Sequence, residues 1–220
     1  MIRKITRRTF SFLLVAFVSL AFYEGWRVWV AHQRVDALFA PYRSVENSGI
    51  LRWNDLTSWQ QKALIQVEDP GFFQHNGVDM WTAGAGLTSI TQAITKRLFF
   101  EQFRPGFAKI EQSLIARYVI SPNVSKEDQL TTFLNVAYLG ESNGKAIVGF
   151  PMAARAYFNK DVADLNDTEF LRLVGALLAP RTYPPIPGNR DSDVRLSRLQ
   201  HYVAGICKPT ANGDVTLSTC

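Results

Sequence analysis

The chain has only two cysteines and three histidines in 220 residues, and both scarcities exclude chemistry. His32, His75 and His201 lack the spacing of a metal-ligand set, so no protein-held metal centre is expected. Cys207 and Cys220 both lie near the carboxyl end, where they suit either a bridge closing a short tail loop or two structural thiols. Neither arrangement carries a reaction. A strong charge bias is also missing: of the net +5, Arg3, Lys4, Arg7 and Arg8 account for four. The nearly neutral body argues against a nucleic-acid partner. Repeats, low-complexity tracts and strand-like alternation are absent as well, which leaves helices as the main element.

What is present is an ordinary globular composition, 47% hydrophobic and 20% charged, with room for one domain and no second catalytic one. An apolar run from Phe10 to Tyr23 follows the basic amino terminus. With Glu24 and Arg27 snorkelling outward, residues 9–31 are long enough to cross a bilayer. Positive charge ahead of the run orients the bulk of the chain outside the cytoplasm, a single-pass arrangement. The rival reading is a cleaved signal peptide: Ser19 and Ala21 make a small-residue cleavage pattern, and Arg7-Arg8 resembles a twin-arginine signal. The expected organisation is residues 1–31 as anchor or signal, 32–56 as linker, 57–206 as an all-helical domain and 207–220 as a tail.

Within the domain, Thr57 and Gln60 form a capping-box pattern for a first helix, which must end at Asp69-Pro70-Gly71. A second helix starts at Thr88 or Ser89, and a third runs from about Phe107 to Ile120, burying Phe107, Ile110, Leu114 and Tyr118. A fourth, capped by Ser125 and Asp128, extends to Gly140; a fifth opens at Pro151 and a sixth at Asn166. The last is amphipathic, from about Asp193 to Ile206.

Two features point to chemistry. Glu68 and Asp69 sit at the carboxyl end of the first helix, where free carbonyls and the macrodipole repel negative charge. That repulsion raises a carboxylate's pKa toward neutrality and makes it a better base. The glycine-rich approach to Thr88 and Ser89 offers backbone N–H groups to an anion, with Lys96, Arg97, Arg104 and Lys109 following; a phosphate or diphosphate suits it.

The residues from Glu68 to Asp79, E-D-P-G-F-F-Q-H-N-G-V-D, resemble the first signature of the family 51 glycosyltransferases, the peptidoglycan polymerases. Thr88-Ser89-Ile90-Thr91-Gln92, followed by Lys96, Leu98 and Phe99, is similar to that family's second motif. Leu134-Asn135 with Tyr138 and Gly140, Ala153-Ala154 with Tyr157-Phe158 and Lys160, and Glu169 through Pro180 with Tyr183 and Pro185 resemble three more, in order. The resemblance covers roughly residues 57–198.

It implies a mostly α, lysozyme-like helical lobe with a smaller membrane-facing lobe, anchored in the bacterial inner membrane with the catalytic domain on the periplasmic side. It implies lipid II and the growing glycan strand as substrates, with possible cell-wall synthesis proteins as partners. Glu68 would be the base, and Asp69, His75, Thr88, Ser89, Gln92, Lys96, Arg97, Arg104 and Lys109 would bind substrate. His75 is also suited to fixing the turn after the first helix. A divalent cation, Mg or Mn, is a possible cofactor in this family, though none is required by the residues.

The departures matter as well. Leu87 and Ala93 replace a glycine and a glutamine, and the loop between Asp79 and Gly86 is short. Ungapped counting from Lys96 puts Gln112 where the family has a second glutamate, with Glu111 adjacent but about 100° away around the helix. These departures keep two alternatives open: a catalytically weak lipid II-binding scaffold, and a lysozyme-like glycan-cleaving enzyme.

Overall fold

The computed structural model describes residues 2–44, 49–142 and 144–220, with side chains from residue 9 onward. Helix α1 spans Ile2–Arg43, followed by α2 Ser58–Glu68, α3 Ile90–Leu98 and α4 Phe107–Ile115. Helix α4 continues through a π-helical turn, Ala116–Ile120, into α5 Ser121–Asn123. Then come α6 Lys126–Val136, strands β1 Tyr138–Ser142 and β2 Lys145–Val148, and helices α7 Phe150–Phe158, α8 Asp167–Ala176 and α9 Arg190–Val203. The fold is mostly helical, as the apolar spacing predicts.

Local chemistry sets the helix starts. Thr57 accepts from the Gln60 N–H while the Gln60 side chain accepts from the Thr57 N–H, and the same reciprocal box joins Ser89 to Gln92 and Asn166 to Glu169. Each box satisfies two helix-end donors, which stabilises the start by about 1 kcal/mol. Phe72, Phe133, Phe150 and Phe170 fill the centre, with Phe150 and Phe170 ring centroids 5.7 Å apart.

Three expectations change. Residues 32–43, read as the start of a linker, continue α1 and bury Val35 and Phe39 in the same core as the domain. A helix whose stripe lands on a core has no reason to end at the membrane surface. The anticipated fourth helix stops at Val136 rather than Gly140, and the chain turns into an antiparallel hairpin pairing Gly140 with Ile147 and Ser142 with Lys145. Gly140 has φ 124°, and a Cβ there would sit 2.4 Å from the Tyr157 hydroxyl, which donates to the Leu139 carbonyl. That close approach demands glycine, at the point where the strand register shifts between Tyr138 and Gly140.

The third change concerns α4. Its expected buried stripe faces outward, with Phe107 71% exposed and Ile110 and Tyr118 also exposed, while Glu111, Gln112 and Ile115 are buried. The outer stripe lies beside the first half of α1. Ile110, Leu114 and Tyr118 share an apolar cleft with Phe17, Leu20 and Ala21. Helix α1 is long and apolar enough over Thr9–Arg43 to cross a membrane, and its apolar half is exposed.

Candidate active site

Helix α2 delivers two acids to one point, and the fold gives them opposite fates. Asp69 is buried at 1% exposure. It accepts the Ile90 N–H at 2.9 Å and the His75 Nε2–H at 2.9 and 3.0 Å. Its charge therefore sits at the amino end of α3, where the helix dipole favours it. The Gly77 N–H donates to His75 Nδ1 at 3.1 Å, which leaves the ring proton on Nε2, pointing at Asp69. Lys126 reaches the Phe72 and His75 carbonyls at 2.6 and 2.9 Å. The turn from residue 70 to 79 is thereby fixed, and Asp69 and His75 belong to its frame rather than to a substrate surface.

Glu68 instead lines a groove of about 530 Å³ together with Thr88, Lys96, Arg97, Lys109, Gln112 and Arg195. Desolvation is the main reason that its pKa is pushed up to about 7; the neighbouring Asp69 charge adds to the rise and Arg195 opposes it. At neutral pH the carboxyl is thus poised between acid and base. Across the groove, Lys109 donates to the Thr88 hydroxyl at 2.9 Å. Burial, followed by repulsion from Lys96, pulls the Lys109 ammonium below its ordinary pKa. Lys109 is partly buried and Lys96 exposed, and an anion between the two ammonium groups relieves their repulsion. Lys96 lies 5.3 Å from the Phe103 ring centroid, and Arg97 donates to the Val136 carbonyl at 3.1 Å while stacking over Tyr138.

Several expected contacts are elsewhere. The Ser89 hydroxyl donates to the Gly77 carbonyl at 2.6 Å, and Gln92 donates to Ser113 at 2.8 Å while closing its capping box. Both are buried by their own hydrogen bonds and do not line the groove. Arg104 sits exposed in the loop between α3 and α4, outside the groove lining. Glu111 turns to the opposite side of α4 and pairs with Arg27 of α1 at 2.8 Å, a consequence of the 100° between adjacent helical residues. Gln112 does reach the groove: its Nε2 donates to the Gln92 carbonyl at 2.6 Å, and its Oε1 is buried without a partner.

Arg195 is the residue that sequence reasoning missed. Helix α9 buries Ser192, Arg195, Leu196, Leu199 and Tyr202. A cation on the apolar stripe of an amphipathic helix is the signal that could have found it. Arg195 Nη1 donates to the Val215 carbonyl, and its Nε–H is buried without a partner. Burial lowers its pKa from the ordinary guanidinium value while the Glu68 carboxylate raises it.

A divalent cation does not fit these residues. Among the described residues, Asp69, His75 and Asp79 bring ligand atoms within 4.8 Å of one another. Yet the Gly77 N–H occupies the Nδ1 lone pair, so the atom facing the two acids carries a proton and cannot ligate. In the groove, Gln112 presents a neutral amide where a second carboxylate would supply charge.

The profile of the family described as transglycosylase matches residues 35–204. Penicillin-binding protein 1A of Neisseria lactamica is 34% identical over 139 residues, which cover 57% of this chain and 17% of that protein. Penicillin-binding protein 1B of Vibrio cholerae is 33% identical over 137 residues, covering 56% and 18%. The chain therefore spans less than a fifth of the length of these curated relatives. With the matched segment running from the end of α1 through α9, and so through Glu68 and every cation of the groove, this chain belongs to the transglycosylase family.

Proposed function

We propose that the chain is a peptidoglycan glycosyltransferase that joins lipid II units into glycan strands at the outer face of a bacterial inner membrane, held there by α1. The observation that carries this reading is a carboxyl with a pKa near 7 sharing one groove with Lys96, Lys109 and Arg195. The 4-hydroxyl of the lipid II acceptor attacks the anomeric carbon of the growing chain and gives its proton to Glu68. The bond to undecaprenyl diphosphate breaks with inversion. The electron pair leaves with the diphosphate, whose charge Lys96 and Lys109 take up. A diphosphate leaves as an anion and needs no general acid, which is consistent with Gln112 in place of a second acid.

Incubation of the purified full chain with fluorescent lipid II in detergent tests the reading. Wild type should yield polymer, and Glu68→Gln should yield none while remaining folded. Binding of lipid II without turnover by wild type would instead select the scaffold role that Gln112 and Ala93 suggest. Release of fragments from purified sacculi would select glycan cleavage.

A further inference from the structure

The wall of the groove beside Glu68 is not made by the family-matched residues alone. Gly213 and Val215 line it, and both lie beyond residue 204, where the match ends. They belong to a tail without helix or strand that the Cys207–Cys220 disulfide closes into a loop. That tail grips the segment leading to Thr88. The Gly84 N–H donates to the Ala211 carbonyl at 3.0 Å, the Gly213 N–H to the Ala85 carbonyl at 2.8 Å, and the Asn212 amide to the Thr82 carbonyl at 3.2 Å. Met80, Trp81 and Leu87 in the same segment are exposed and Ala85 is its buried apolar residue, so apolar burial holds it weakly. On its other side the tail engages α9. The Val215 carbonyl accepts from Arg195, the Thr216 carbonyl from Arg198 at 3.2 Å, and Leu217 is buried at 2% exposure.

We propose that the disulfide-closed tail, residues 207–220, is a positioning element of the active site: it walls the groove, holds the approach to Thr88 and fixes Arg195 beside Glu68, so that turnover depends on the Cys207–Cys220 bridge. This rests on reading the groove as the transferase site. The physical basis is entropic. A segment with no regular structure keeps one conformation only when few alternatives are left to it, and the crosslink removes most of them. Arg195 then loses its only hydrogen-bonded anchor among the described residues if the Val215 carbonyl moves away.

The test uses the full chain in detergent, oxidised, and again after a dithiol has reduced the bridge. That exchange passes two electrons and two protons to the cysteines and leaves the reagent as its cyclic disulfide. Hydrogen exchange should quicken about tenfold or more over residues 82–88 and near Arg195, while α2 and α8 keep their protection. Polymerisation of lipid II should slow, with its acidic limb moved to higher pH by about 1, because a displaced cation no longer favours the Glu68 carboxylate. Cys207→Ser with Cys220→Ser should reproduce both effects. Arg195→Gln should move the limb without altering exchange at 82–88. Unchanged exchange at 82–88 on reduction overturns the proposal, and so does loss of protection throughout the domain, which would make the bridge a general staple. The local exchange response carries the proposal, whereas absence of polymer in both redox states counts against the transferase reading on which it rests.

Discussion

Glu68→Gln should stabilise the protein at the pH where it abolishes turnover. The folded Glu68 carboxyl has its pKa raised from 4.5 to about 7, so between those values the folded chain holds a proton that the unfolded chain has lost. Stability linked to Glu68 is complete below about pH 4.5 and declines as pH rises through 7. At roughly 1.4 kcal/mol per pH unit, the cost of ionising this groove carboxyl reaches at most about 3 kcal/mol above pH 8. Glutamine is close to isosteric and never ionises, so the variant avoids that cost. The Arg195 attraction is already counted, because protonation and substitution both forfeit it. For a chain of this size the gain corresponds to about 2–4 °C in Tm per kcal/mol. Thermal unfolding in detergent at pH 8 should show the variant melting several degrees higher, and the two melting curves should converge near pH 4.5. A variant that melts at or below wild type at pH 8 would refute the claim that desolvation rather than a partner dominates this carboxyl.

For wild type, the rate of lipid II polymerisation should climb with pH through about 7 as the base ionises, then level off; a flat profile from pH 5 to 8 would remove Glu68 from the base role. Asp69→Asn should cost on the order of 3 kcal/mol in denaturant unfolding, since it weakens charge-assisted bonds from both Ile90 and His75; a neutral effect would mean that Asp69 is not holding α2 to α3. Lys109→Gln should lower kcat/KM for lipid II by on the order of 100-fold while Tm holds or rises, since it relieves repulsion with Lys96. Gln112→Glu should destabilise the fold by about 1–3 kcal/mol at pH 8, because a carboxylate cannot donate to the Gln92 carbonyl; unchanged stability with raised activity would show the position to be a vacated acid site.

Features that a short stretch of chain decides were legible in the sequence. The capping boxes at Thr57, Ser89 and Asn166 need only three residues of spacing, and the end of α2 at Asp69-Pro70 follows from proline sterics. The placement of Glu68 beside Lys96 and Lys109 followed from motif order. What escaped depends on which surface a side chain meets. Periodicity shows that Ile110, Leu114 and Tyr118 share a stripe, but not whether protein or membrane faces it. Ser89 and Gln92 carry polar groups suited to substrate, yet three-dimensional neighbours satisfy them first. The acid pair at the end of α2 looked doubly strained, and the arrival of the Ile90 N–H twenty-one residues later, together with the His75 ring N–H, relieves Asp69 and leaves the strain on Glu68.

The correction at residues 32–43 changes how the proposed reaction meets the bilayer. A flexible linker of about 25 residues would let the groove wander by roughly 25–30 Å from the membrane surface. A donor whose undecaprenyl chain stays in the bilayer reaches such a groove only part of the time. Helix α1 instead runs unbroken from its apolar half into the core at Val35 and Phe39, and about 22 Å of helix separates Glu24 from Phe39. Helix α4 completes the connection. Its outer stripe shares a cleft with Phe17 and Leu20, Glu111 pairs with Arg27, and on its other side Lys109 and Gln112 line the groove. One helix thickness, about 10 Å, then lies between the apolar half of α1 and Lys109, one of the cations proposed to receive the diphosphate. The acid at Glu111 is engaged with Arg27, which leaves Glu68 as the carboxyl that lines the groove.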